Sequence, residues 1–270
     1  MRLFFTHVGT GDPVIILHGL FGSQNNWRTI ARRLGEEYSV FTPDLRNHGQ
    51  SPHHPIHSYA SMADDVRALM DEEGLHQPFL IGHSMGGKTA MELALGTPER
   101  VKGLVVVDIA PTSSSMDVDG YLDALLSMDL SLFVSRQEVD REMVKRIPDE
   151  RTRQFLLTNI TRSADGKLVW RINLKALADN RAQIFAGLSG GRHYAGRTLF
   201  VRGEHSRYLH PQDEEQIRAL FPNATIQTIN GAGHWIHADA PEAFLAQVRS
   251  FLRDSRLQPS DIPPQKVGMR

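Results

Sequence analysis

The chain has 270 residues, 40% of them hydrophobic, with 30 Lys and Arg against 31 Asp and Glu and a formal net charge of −1. That length suits one large α/β domain, and so balanced a charge argues against nucleic acid or an anionic membrane surface as a partner. The absence of cysteine excludes disulfides, thiolate chemistry and Cys-ligated metal; no apolar run reaches transmembrane length, and Met1 to His7 is too short and too soon polar for a signal peptide, so the expectation is a cytoplasmic protein with no membrane insertion.

Arg2 to Val8 reads as a first strand, and Gly9-Thr10-Gly11-Asp12-Pro13 as a turn. Val14-Ile15-Ile16-Leu17 is a continuous apolar run, the pattern of a strand buried on both faces of a mainly parallel sheet. It ends in the glycine-punctuated loop His18-Gly19-Leu20-Phe21-Gly22-Ser23, placed where an open α/β sheet takes its ligand. Trp27 to Glu37 reads as a helix and Ser39 to Pro43 as a strand. The three histidines of His53-His54-Pro55-Ile56-His57 read as a solvated loop in preference to a metal site, because Pro55 interrupts them at no ligand spacing. Tyr59 to Glu73 is an amphipathic helix with Ser58 as its N-cap.

Phe79-Leu80-Ile81 then runs into Gly82-His83-Ser84-Met85-Gly86-Gly87, with a helical pattern beyond. G-x-S-x-G between strand and helix is a nucleophile elbow, a sharp turn that exposes the serine hydroxyl. Small residues two places either side let the turn pass close to its neighbours. Val101 to Asp108 is the next strand. From Pro111 to Ala195 strand signals vanish and Tyr121 to Met128, Arg136 to Arg146, Glu150 to Ile160 and Leu174 to Phe185 read as helices, with Ser113-Ser114-Ser115 and Gly190-Gly191 marking the ends of this stretch. A helical insertion between two strands is where a lid over the strand ends belongs. Thr198 to Val201 resumes the sheet, Pro211 to Leu220 is a helix, Thr225 to Ile229 a last strand, and Pro241 to Leu252 the final helix.

A serine nucleophile needs a base, and the base an orienting acid, in the chain order Ser, acid, His for this class. Ser84 is the nucleophile. His234 is the base, in the Gly-rich loop Asn230-Gly231-Ala232-Gly233-His234-Trp235 after the last strand. His83 flanks Ser84 but points away from it, His18 braces the upstream loop, and His237 is a packing neighbour. Two carboxylates compete for the acid: Asp108, ending the strand after the elbow helix, and Glu204, in the later loop where Ser206 stands at the place expected of an aspartate. Asp108, short and preceded by Val105-Val106-Val107, is favoured. Asp44 reads as a loop brace. The N–H groups of Met85 and Leu20 are the expected oxyanion donors, with Phe21 as the alternative to Leu20 and as a substrate contact.

Six segments carry a resemblance: His18 to Ser23, Asp44-Leu45-Arg46-Asn47-His48-Gly49, Gly82 to Lys88, Val107-Asp108-Ile109-Ala110-Pro111, Trp170-Arg171-Ile172-Asn173-Leu174, and Gly233-His234-Trp235. The chain resembles an α/β-hydrolase over nearly its full length and, within that superfamily, is similar to the YbfF-type acyl esterases, although Arg202 to Ser206 departs from a pattern richer in Gly and Asn. The resemblance implies an α/β-hydrolase fold, a mainly parallel sheet flanked by helices, with a helical cap inserted after the strand ending at Asp108. Residues 1–111 and 196–257 would form the core, 112–195 the cap and 258–270 a flexible tail. It also implies an acyl esterase or thioesterase whose acid follows the earlier strand; the serine mechanism expected here needs no cofactor and no metal.

The expected reaction is cleavage of carboxylic or thio-esters of small to medium acyl chains through an acyl-enzyme, on a small-molecule ester. Leu122, Leu125, Met128 and Phe133 either line an apolar acyl pocket or form the insertion's own core. Two other readings remain: a carbon–carbon bond hydrolase using the same triad, and a non-catalytic binding protein, for which intact Ser84 and His234 would have no use. Nothing in the chain specifies an oligomeric state.

Overall fold

The computed structural model describes residues 1–113, 118–188 and 191–254. Ser114, Ser115, Gly190 and the tail 258–270 lie outside the described residues. In chain order the core begins with β1 (Phe5–Val8), β2 (Pro13–Leu17), α1 (Arg28–Leu34), β3 (Ser39–Pro43), α2 (Tyr59–Glu72), β4 (Phe79–His83), α3 (Met85–Gly96) and β5 (Gly103–Val107). The insertion carries α4 (Val118–Leu126), α5 (Arg136–Met143), α6 (Glu150–Leu157), β6 (Ile160–Arg162), β7 (Leu168–Trp170), α7 (Leu174–Asp179) and α8 (Arg181–Phe185). The core resumes with β8 (Thr198–Gly203), α9 (Glu214–Leu220), β9 (Ala224–Ile229), α10 (Ile236–Asp239) and α11 (Pro241–Asp254).

Seven strands form one sheet in the order β1-β3-β2-β4-β5-β8-β9. Only the edge pair β1–β3 is antiparallel; the rest run parallel. The apolar runs Phe79–His83 and Gly103–Val107 are buried at every residue, as central parallel strands covered on both faces must be. Side chains alternate between the faces. Leu80, Leu104, Val106 and Phe200 meet α2, α3 and α9 through Met62, Val66, Met91 and Ile217. Ile81, Val105, Val107 and Leu199 meet α1 and α11 through Ile30, Leu34, Phe244 and Val248. Ser58 caps α2 by accepting the N–H of Ser61. No helix among the described residues is long and apolar enough to cross a membrane.

The insertion departs from its all-helical expectation. Ile160–Arg162 and Leu168–Trp170 pair antiparallel, so the helix read from Glu150 to Ile160 stops at Leu157. Asp165-Gly166 is the turn signal that gives this away: Gly166 adopts φ +82° and Ser163 N–H bonds Lys167 O at 2.9 Å, closing a short hairpin. Each strand has three residues, too few for alternation to register. The stretch from Leu174 to Phe185 divides into two helices at Asn180.

Leu122, Leu125, Val139, Leu156 and Leu177 make the insertion a core of its own, which also takes in Phe21. Leu122 and Leu125 belong to that cluster and Met128 and Phe133 pack against it; none of the four lines the cavity that holds Ser84 and His234. Core side chains reach up to the insertion, Lys88 Nζ donating to Ala186 O at 2.8 Å and Tyr59 OH to Ile184 O, and the backbone N–H of Asn173 bonds Asn47 O at 2.9 Å. Burial pushes the Lys88 ammonium down to about 8.

Candidate active site

The elbow is built as a strained corner. Ser84 sits at φ +51°, ψ −118°, a conformation that costs a non-glycine residue about 1–3 kcal/mol and persists only where its surroundings hold it. Ser84 N–H bonds Val107 O at 3.0 Å, and Lys88 N–H bonds Ser84 O at 3.0 Å to open α3. The two glycines are obligatory by contact. A Cβ on Gly82 would lie 2.3 Å from Gly86 O, and one on Gly86 would lie 2.4 Å from Leu17 O.

Asp108 is the second corner, at φ +55° and fully buried. Its carboxylate accepts from three donors. Gly203 N–H bonds Oδ1 at 3.0 Å, Ser206 Oγ–H bonds Oδ2, and His234 Nδ1 lies 2.7 Å from Oδ2. A carboxylate only accepts, so Nδ1 carries the hydrogen of this bond. Tyr208 stacks on the His234 ring at 3.6 Å between centroids and 13° between planes. Glu204, the rival carboxylate, instead accepts the N–H of Gly231 at 2.7 Å.

His83 departs from its expected position. It lines the same cavity as Ser84, and its Nε2 donates to the carbonyl of His234 at 2.9 Å. Burial, reinforced by the neighbouring His234 and His237, holds it neutral. Ser206, read only as the wrong residue for an acid, donates its hydroxyl hydrogen bond to Asp108 Oδ2 and accepts Tyr208 N–H at 3.2 Å. Position relative to Gly203 was the available signal for Ser206; Tyr208 had none.

The upstream loop turns tightly, with Gly22 N–H bonded to Gly19 O at 2.9 Å. Phe21 stands at φ +60° within it. The Phe21 N–H is committed to His48 Nε2 at 3.2 Å, and its carbonyl accepts Asn159 Nδ2 at 2.7 Å. With that N–H engaged, Phe21 is unsuited as an oxyanion donor, whereas Phe21 and Leu20 both line the cavity. Leu45 N–H donates to His18 Nε2 at 2.9 Å, and Asp44 accepts the N–H groups of Gln24 and Gln50 at 2.7 and 2.8 Å. His57 is no solvated residue. It is fully buried, with Nδ1 accepting from Asn47 Nδ2 at 3.3 Å and Nε2 3.4 Å from Met85 Sδ. Burial pushes His18 down to about 4, His48 to about 3 and His57 to about 2. All three therefore act as neutral hydrogen-bonding struts.

Ser84, His234, Leu20, Phe21 and His83 open onto one cavity of about 240 Å³, roofed by Tyr121, Arg151, Thr152, Phe155 and Leu156 of the insertion. Apolar and aromatic side chains, Leu20, Phe21, Trp27, Phe155, Leu156 and Trp235 among them, share the cavity wall with polar ones such as Asn26, Arg151 and Thr152, a mixture that suits a small-molecule site.

A family model described as alpha/beta hydrolase fold matches residues 12–173, and the chain belongs to the α/β-hydrolase family. It is similar to the sn-1-specific diacylglycerol lipase ABHD11 of Mus musculus, at 40% identity over 251 residues, covering 90% of this chain and 81% of the lipase. It is also similar to the esterase YbfF of Escherichia coli strain K12, at 35% identity over 244 residues, covering 90% and 94%. A solved structure of a marine microorganism esterase matches with a TM-score of 0.91 at 40% identity, covering 93% of this chain and 99% of that one. The chain is accordingly a carboxylesterase-type hydrolase.

Proposed function

We propose that this hydrolase cleaves carboxylic or thio-esters of small to medium acyl chains by serine catalysis through an acyl-enzyme. The observation that carries the reading is the 2.7 Å contact between His234 Nδ1 and Asp108 Oδ2 on a histidine that shares its cavity with the elbow serine. Ser84 Oγ attacks the acyl carbonyl carbon while His234 Nε2 takes its proton. Asp108 holds the tautomer and stabilises the imidazolium. The N–H groups of Leu20 and Met85 receive the oxyanion, Met85 at the start of α3, where the helix adds positive potential. His234 returns the proton to the leaving alcohol or thiol. Water, deprotonated by His234, then releases the acid and regenerates Ser84.

In this reading residues 112–195 serve as a cap on a core formed by 1–111 and 196–257, and the cap supplies the roof of the acyl site. A cavity of about 240 Å³ falls below the roughly 300 Å³ at which pockets for drug-sized ligands begin, which supports short to medium chains. Hydrolysis of p-nitrophenyl esters from acetate to decanoate tests this, with intact-protein mass spectrometry of the quenched reaction. The expected result is a rate peaking in the shorter half of the series and a transient adduct of one acyl mass located on Ser84. A rate rising steadily to decanoate overturns the size limit, and an adduct on another residue overturns the nucleophile.

A further inference from the structure

Both chain neighbours of His234 are held by the same helix of the insertion. On one side, Gly233 N–H donates to Asp239 Oδ2 at 2.8 Å, and Asp239 Oδ1 takes the guanidinium of Arg151 on α6. Asp239 is itself fixed by the α10 turn, its N–H bonded to Trp235 O at 2.9 Å. On the other side, the Trp235 ring lies 5.0 Å from the Arg151 guanidinium carbon and 5.4 Å from the Phe155 ring. Arg151 and Phe155 are four residues apart and so share one face of α6. His234 itself is tied to the core, through His83 and Asp108. Arg151, Thr152 and Phe155 also line the cavity, so a substrate filling it bears on the helix that grips the histidine loop.

We propose that Arg151 and Asp239 are a positioning pair through which the insertion sets the placement of His234. The proposal rests on His234 being the base. The Arg151 side chain is 54% exposed and that of Asp239 9%, so the pair adds little to stability as an ion pair. Its effect is geometric: a misplacement of about 1 Å in a reacting group can cost about 10²-fold in rate. Asp239 stands behind the loop and does not border the cavity, which separates positioning from binding.

The test is steady-state kinetics on one short-chain ester for Asp239→Ala, Asp239→Asn, Arg151→Met, Arg151→Lys and the Asp239→Ala/Arg151→Met double variant, with His234→Gln alongside. Asp239→Ala should lower kcat about ten- to a hundredfold while KM stays within about twofold. Arg151→Met should lower kcat similarly, Arg151→Lys should recover most of the loss, and the double variant should be no worse than the poorer single one, as for two parts of one link. Asp239→Asn keeps an acceptor for Gly233 and removes only the charge, so it should match Arg151→Met even if Asp239→Ala fails to fold. Unchanged kcat in Asp239→Asn and Arg151→Met, a loss confined to KM, or fully additive losses overturn the proposal. An active His234→Gln would instead remove the base assignment, whereas an inactive one beside normal pair variants removes the positioning role alone.

Discussion

Two carboxylates end adjacent strands on the same edge of the sheet, and their surroundings are opposite. Asp108, after β5, has none of its side chain exposed and is met by a backbone N–H, a hydroxyl and the imidazole of His234. Glu204, after β8, has 49% of its side chain exposed and accepts the N–H of Gly231, bracing the loop three residues before His234. Both lie within one loop's length of the histidine. A charge at the sheet edge needs donors enough to offset its desolvation before it can be held buried against an imidazole. Asp108 has them: it turns at φ +55°, and its carboxylate meets the Gly203 N–H at the end of β8.

Four substitutions, in falling order of effect, test how complete this contrast is. Ser84→Ala sets the scale: removing the nucleophile should cost on the order of 10⁴–10⁶-fold in kcat with the fold intact, measured with a p-nitrophenyl ester and circular dichroism. Retention of more than about a tenth of the rate would take the elbow out of the chemistry, and with it the meaning of either carboxylate. Asp108→Asn should come next, with a loss on the order of 10⁴-fold, because an amide accepts the wrong imidazole tautomer. A near-normal Asp108→Asn beside a crippled Glu204→Gln would invert the comparison.

Ser206→Ala sharpens it. One of the three donors to Asp108 is lost and the other two remain, so kcat should fall about tenfold, the worth of one hydrogen bond to a charged group. A loss as deep as that of Asp108→Asn would make the hydroxyl as necessary as the carboxylate. Glu204→Gln should be the mildest, within about threefold, since Gln keeps an oxygen for Gly231 N–H and the charge it removes is solvent-screened. A loss of 10³-fold or more would mean that both carboxylates act on His234.

What the sequence by itself determined lies in short stretches whose physics is local. The apolar runs at Val14–Leu17, Phe79–Ile81 and Val105–Val107 admit little but central strands. Gly82-His83-Ser84-Met85-Gly86 must turn sharply, because only glycine fits where Gly82 and Gly86 pack against backbone oxygens. The glycine-rich loops that carry Leu20 and His234 follow from where their strands stop.

Only the tertiary structure decided what those loops do to one another. His234 meets Asp108 across 126 residues, Ser206 meets Asp108 across 98, and Phe21 loses its N–H to a histidine 27 residues away. His83 turns out to hold the carbonyl of His234, and the roof of the cavity comes from Thr152, Phe155 and Leu156 in place of the leucines of α4. A hydrogen bond to a buried carboxylate or a place on a cavity wall depends on which donors lie within about 3 Å. Sheet order and the path of the insertion set that distance, and no periodicity along the chain encodes it.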